Sequence, residues 1–445
     1  MPSHRRLTCK LNYFQSIILL FAMVILIGAV LLMLPISAQA HTVTPFHEAL
    51  FTATSAVCVT GLVVRDTASH WSAFGQAVLM VLIQIGGLGV ITVGASFSLL
   101  SGRRISLSQR GRMQEAMSAP KVGGIVRLTG FVIRSSLVME GIGALCMLPV
   151  FYRDFGASGI WKAIFHSVSA FCNAGFDLMG TPDTPFVSLT AYRADPVISL
   201  TISALIVIGG IGFLTWDDVR TNRLCFHRYR LQSKVILTST ALLILLPTLY
   251  FFFFEFKGVT PQERLLLSLF QSITPRTAGF NTADYTSLSS SGRGLTILLM
   301  FIGGSPGSTA GGIKTTTIAV LVANAFAVFR RQKSPEMFGR RMEEKAVHDA
   351  AAIFTLYLVL SLTGAFTIST VEGLPLSECL FETTSAIATV GLSLGLTPHL
   401  GIVSQGILIF LMFIGRVGGL TMIYAALSGS KSSVARLPQE RITVG

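Results

Sequence analysis

The strongest constraint on this chain is a short motif that it repeats four times. The copies read FTATSAVCVTGL at 51–62, FHSVSAFCNAGF at 165–176, FQSITPRTAGF at 270–280 and FETTSAIATVGL at 381–392. Each starts with a phenylalanine and a polar residue, places a serine or threonine four positions after the phenylalanine, and closes on a glycine with a bulky residue behind it. A second element follows every copy: IGGLGVIT at 85–92, IGGIGFLT at 208–215, IGG at 302–304 and IGRVGGLT at 414–421. Its first glycine stands 25, 34, 24 and 24 residues beyond the motif glycine. Taken once, such small residues would only let membrane helices pack closely. Four copies in one order, each behind the same upstream motif, make a structural repeat.

About half of the 445 residues are hydrophobic and 12% are charged, where a soluble domain carries about a quarter. The apolar runs recur from end to end, so the bilayer surrounds the whole chain rather than one anchor. Each repeat is expected to read helix, re-entrant segment, helix. The long spans fall roughly at 13–36, 71–100, 127–151, 196–219, 234–256, 294–329, 349–371 and 402–427. The expected fold is an all-α polytopic membrane protein: eight transmembrane helices and four pore helices around one pseudo-fourfold pore. The repeats divide at 1–100, 101–220, 221–330 and 331–430, with a tail at 431–445. Ala38-Gln39-Ala40 resembles a signal-peptidase site, but the run before it, Tyr13 to Leu34, is longer than the usual ~7–15-residue signal core. The repeat also needs that helix, so it is expected to be retained. Thr44-Pro45, Thr260-Pro261 with Glu263, and Leu374-Pro375 mark pore-helix starts, as caps and first-turn prolines. About ten helical residues reach ~15 Å, so these helices enter the membrane and stop midway.

The segments before the first span, between successive pairs and after the last span hold 23 of the 34 basic residues. By the positive-inside bias they are cytoplasmic, as are both termini. The opposite side carries twelve acidic against eight basic residues. Ordinary charge bias explains part of that asymmetry, and a negative mouth would also concentrate cations. The net charge of +13 does not indicate nucleic acid, because the basic loops are short connectors without interleaved aromatics. The six cysteines are scattered with no CxxC spacing, which argues against a zinc site or disulfide framework. His166, Cys58, Cys172 and Ser169 fall into no catalytic pattern, and no enzyme is expected.

A re-entrant segment leaves backbone carbonyls without helical partners at membrane depth, tolerated only around a cavity. Four such segments on one axis would form a ring of carbonyl oxygens, which replaces the hydration shell of a monovalent cation. The pore helices aim the negative ends of their dipoles at the same place. Expected ion ligands are the main-chain oxygens of Val59, Thr60, Gly61, Asn173, Ala174, Gly175, Thr277, Ala278, Gly279, Thr389, Val390 and Gly391. No carboxylate stands among them, so a divalent cation is disfavoured.

These four filters, the run Thr274-Pro275-Arg276-Thr277-Ala278-Gly279-Phe280-Asn281 and the context of Arg416 resemble the Trk/Ktr/HKT superfamily of potassium transporters over essentially the whole chain. The length is most similar to the membrane subunits of bacterial Ktr potassium uptake systems. The resemblance implies K+ at the filter carbonyls, one pore per subunit, a homodimer in the lipid bilayer of the bacterial cytoplasmic membrane, and a cytosolic KtrA-type ring that binds ATP or ADP and gates the pore. It leaves Na+ open as an activator. Each filter keeps one glycine rather than a full TVGYG, so selectivity is expected to be weaker or less symmetric than in potassium channels.

The third repeat interrupts its second helix at 303–314, where Gly303, Gly304, Pro306, Gly307, Gly311 and Gly312, ahead of Lys314, forbid a continuous lipid-facing helix. The expectation is a gate: a flexible loop under the filter with its hydroxyls and Lys314 in the cavity; a kink packed between helices is the alternative. Arg416 sits mid-span where the other repeats have glycine, and a buried charge there is costly. It is read as a positive barrier below the filter or as an ion pair with a residue such as Glu140. Arg276 is expected to brace its loop against an acidic residue. An ion-coupled potassium or sodium symporter on the same fold stays open as the alternative function.

Overall fold

The computed structural model describes residues 13–89, 125–423 apart from 224, 333 and 420, and residue 440. The expected 100/101 boundary, the basic residues from Arg103 to Lys121, and the tail from 431 except Glu440 lie outside the described residues.

The first helix of every repeat is long and apolar. These are α1 (Tyr13–Met33), α4 (Ile125–Phe155), α8 (Leu231–Tyr250, prolonged by a π turn through Glu255) and α12 (Glu344–Glu372). All four have the length and composition to cross a bilayer. The pore helices are α2 (Phe46–Val57), α5 (Ser158–Phe171), α9 (Pro261–Ile273) and α13 (Leu376–Ile387). Of the expected starts, Thr260 caps α9 by accepting from the Glu263 amide at 3.4 Å, ahead of Pro261. Thr44 is a correction: Pro45 is the residue before α2, and the Thr44 hydroxyl pairs with His70 Nε2 at 3.2 Å. Pro375 likewise precedes α13 with no side-chain cap, and the Glu263 carboxylate faces Arg193 at 2.8 Å.

The second helices are α3 (Ala73–Leu88), α6 (Pro196–Gly210), α10 (Ser290–Phe301) and α14 (Ile402–Val417). They correct the sequence expectation of continuous spans over 71–100, 196–219 and 402–427. α3 ends at Gly89, α6 at Gly212 and α14 at Gly418, with φ of +85°, +89° and +94°. Glycine alone tolerates these angles readily, and all three stand three residues after the first glycine of the second element. After Gly212 the chain turns by 95° into α7 (Phe213–Asn222). In the third repeat the break widens into a loop before α11 (Thr315–Phe329). A two-residue hairpin, β1 (Glu336–Met337) with β2 (Arg340–Arg341), follows.

The packing closes on itself. Each second helix packs against the pore helix of the next repeat: α3 on α5, α6 on α9, α10 on α13, and α14 back on α2. Phe51, Phe165, Phe270 and Phe381, which open the four motifs, are all at most 1% exposed. In a bilayer it is close packing rather than removal from water that holds helices together, and these rings key each pore helix into its neighbours.

Candidate functional site

Each pore helix ends shortly before a tight backbone reversal, two residues before it in three repeats and four in the third. Val59, Asn173, Thr277 and Thr389 have φ of +56°, +59°, +74° and +52°. Two residues later Gly61, Gly175, Gly279 and Gly391 have φ of +92°, +71°, +78° and +90°. The residue between each pair has negative φ. This alternation turns consecutive carbonyls to one side. The left-handed residue ahead of the glycine is not itself a glycine in any repeat, so the sequence carried no sign of it.

The four segments meet. A Cβ on Gly61 would lie 2.5 Å from the Ala174 oxygen, one on Gly175 2.7 Å from the Ala278 oxygen, one on Gly279 2.6 Å from the Val390 oxygen, and one on Gly391 2.1 Å from the Thr60 oxygen. Repeat one touches two, two touches three, three touches four, and four touches one. These four glycines therefore do two jobs: they take the left-handed angle, and they let the neighbouring carbonyl close the ring. Thr60 Oγ1, Asn173 Oδ1, Thr277 Oγ1 and Thr389 Oγ1 are buried without a hydrogen-bond partner, one in each repeat.

Side chains from the motif hold each reversal. The Ser55 and Ser385 hydroxyls accept from the Gly61 and Gly391 amides, both at 3.1 Å. The Ser169 and Thr274 hydroxyls donate to the oxygens of Phe176 and Phe280, both at 2.7 Å. This is the physical role of the serine or threonine four places after the phenylalanine. The polar residue next to the phenylalanine grips the chain beyond the filter in three repeats. His166 Nε2 accepts from the Leu178 amide at 3.3 Å. Gln271 bonds Thr282 and Tyr285. The buried Glu382 accepts from the Leu394 amide and from Ser393 and Thr397, at 2.6–2.8 Å. Above the filter glycines opens a vestibule of about 350 Å³ with Asp66, Asp177, Asp284 and His399 in its walls.

The second element has a specific place. A Cβ on Gly86, Gly209 or Gly415 would fall 2.1, 2.1 and 2.0 Å from the oxygens of Val57, Phe171 and Ile387, each the last residue of a pore helix. A Cβ on the equivalent Gly303 would instead fall 2.6 Å from Gly311 O, inside the interrupting loop.

That loop packs against the segments that carry the motif glycines. The Gly303 amide donates to Ile313 O at 2.8 Å, and Asn173 Nδ2 donates to Thr309 Oγ1 at 3.1 Å. Gly311 packs on the Thr389 side chain and Gly312 on Ala388. Ser305, Thr309 and Thr315 are buried in contacts with the protein, and Lys314 Nζ turns back on Ala310 O at 2.8 Å. Gly304 and Gly307 complete the turn, Gly304 through its oxygen to the Thr315 amide at 3.0 Å and Gly307 through its oxygen to the Phe213 amide at 2.8 Å. Arg416 reaches the same loop: it donates to Thr309 O at 2.5 Å and to the oxygens of Gly86 and Gly87. Among the described residues it has no carboxylate partner. Glu140 instead accepts from Gln84 Nε2 at 2.9 Å, so the expected Arg416–Glu140 pair is not formed. Arg276 corrects a second expectation. It donates to Thr240 Oγ1 at 3.3 Å and, among the described residues, meets no acidic group.

Four half-membrane helices whose carboxyl ends close a ring of carbonyls define a polytopic pore-loop membrane protein. The chain belongs to the TrkH family of cation transport proteins, which matches residues 10–434. Among its relatives, the potassium/sodium uptake protein NtpJ of Enterococcus hirae is 40% identical, covering 99% of both chains. The Ktr system potassium uptake protein B of Bacillus subtilis is 39% identical over 96% of this chain and 95% of its own. The crystal structure of the potassium transporter TrkH from Vibrio parahaemolyticus superposes with a TM-score of 0.74 at 18% identity, covering 95% of this chain and 86% of that one.

Proposed function

We propose that this chain takes up potassium across a bacterial cytoplasmic membrane, with both termini in the cytoplasm. The observation that carries this is the closed ring in which each filter glycine abuts the carbonyl of the next repeat. A dehydrated monovalent cation is the ligand that such a ring of neutral oxygens suits. One buried, unpartnered side-chain oxygen per repeat, on a residue one or two places before the motif glycine, fits that cation too, since an orphaned polar group of this kind costs about 1–3 kcal/mol unless something binds it. The acidic vestibule supports entry from that side. Relatives 39% and 36% identical are named as potassium uptake proteins.

The loop 303–314 is the proposed gate, with Arg416 as its latch and as a positive barrier. The loop packs against Asn173, Ala388 and Thr389 beside two of the motif glycines, and Arg416 ties it to the end of α3, which supports that reading. Regulation by a cytosolic KtrA-type ring binding ATP or ADP, assembly as a homodimer, and Na+ as an activating or coupled ion belong to the same proposal. The relatives' names as parts of a Ktr system support the first, and the name of the E. hirae relative supports the last. The test is growth of a potassium-uptake-deficient bacterium at low potassium, with and without a nucleotide-binding subunit. No rescue in either arm, from a chain shown to be in the membrane, overturns the proposal. Flux into liposomes with and without a sodium gradient separates activation from coupling.

A further inference from the structure

We propose a binding site for an anionic phospholipid in the groove between α8 and α11. The groove has a volume of about 520 Å³ and is walled by Leu242, Leu243, Ile318, Val322, Ala323 and Phe326. Two properties select its occupant. The first is the apolarity of those walls, which suits an acyl chain rather than water. The second is charge at one end. Arg330 lines the groove where α11 ends, and among the described residues it has no ion pair. Arg331 is next to it, and the hairpin carrying Arg340 and Arg341 packs on α11. Glu336 also lines the groove and is the one acidic group there among the described residues; across the hairpin it pairs in register with Arg341. The surplus is positive, and basic pockets between membrane helices on the cytoplasmic side favour anionic headgroups.

The groove's other end is what makes the site more than a lipid contact. Ile302 and Thr315 line it, and these residues are the two shoulders of the interrupting loop. The fifteen residues of α11 span about 22 Å, so a lipid phosphate on Arg330 would lay its chain along α11 to the loop. Binding rests on the groove, its basic end and the proposed cytoplasmic position of that end; only an effect on flux rests on the loop acting as a gate.

The experiment uses the full chain purified in detergent with phosphatidylglycerol and phosphatidylcholine in equal amounts, and counts retained lipids by native mass spectrometry. The wild type should retain phosphatidylglycerol selectively. Arg330→Gln should lower that retention about fivefold, from ~1 kcal/mol per basic residue at the membrane surface. Ala323→Phe, which fills the groove and keeps the charge, should lower it as well. Arg330 is exposed, so its variant tests the idea even if Ala323→Phe fails to fold. Equal retention of both lipids, or equal phosphatidylglycerol in wild type and Arg330→Gln, overturns the site. So does a change in oligomeric state with Arg330→Gln at constant lipid count, which would make the groove a contact between copies.

Discussion

Substituting Gly415 by alanine isolates the role of the second element, because backbone strain does not enter: Gly415 lies within helix α14. The added Cβ would stand 2.0 Å from Ile387 O and 2.9 Å from its carbon, where real Cβ contacts essentially never fall below 3.0 Å. The helices must therefore separate by about 1 Å at that point. The atom met is backbone, so no side-chain rotation relieves it. Overpacking of this kind costs about 1–3 kcal/mol, offset by the roughly 1 kcal/mol that alanine gains over glycine in a helix. Ile387 precedes Thr389–Gly391, so the retreat moves the fourth quarter of the ring. Gly406 on the same helix is the control, since an added Cβ there meets nothing within 4 Å. Gly406→Ala is expected to be neutral or stabilising by up to about 1 kcal/mol with uptake intact. Gly415→Ala is expected to lower thermal stability in detergent and to reduce potassium uptake several-fold. If the two variants match in both assays, the glycine is not what brings the second helix onto the pore helix.

Arg416→Gln removes a cation bonded to Thr309, Gly86 and Gly87 oxygens, so unregulated flux in liposomes should rise; an unchanged rate argues against a latch. Deleting Pro306 to Ser308 should likewise raise flux without the cytosolic subunit, and a deletion that leaves flux where it was removes the loop from gating. Glu382→Ala strands the Leu394 amide and the Ser393 and Thr397 hydroxyls, a loss of about 1–3 kcal/mol for each buried group left unpaired. Detergent unfolding should shift down clearly, with Glu382→Gln intermediate, and wild-type stability would show that this clamp is dispensable. His70 is half-buried, and burial, then the Arg65 charge, holds its pKa below 6.5. The folded state thus prefers the neutral ring, so His70 contributes stability above pH 6.5 that is lost as pH falls. The unfolding temperature should drop less between pH 7.5 and 5.5 in His70→Gln than in wild type, and parallel curves would refute the assignment.

The repeat, the pore helices and the motif glycines were legible in the sequence because each is local: a recurring motif, a half-bilayer length, a glycine where the chain must reverse. The breaks at Gly89, Gly212 and Gly418 were not, because membrane helices often contain glycine without breaking, and only the pore helix packed beside them requires the turn. The same holds for partners. Arg416 finds oxygens 107 and 330 residues away, and nothing near it in the chain distinguishes those from a carboxylate such as Glu140. By itself, then, the order of residues determined that four re-entrant turns exist and which glycine each one carries. Only the tertiary structure decided that Gly61 meets Ala174, that Gly391 returns to Thr60, and that the loop at 303–314 lies beneath them. Those contacts join segments about a hundred residues apart or more, and close approach of backbone to backbone leaves no trace in composition beyond the small residue that permits it.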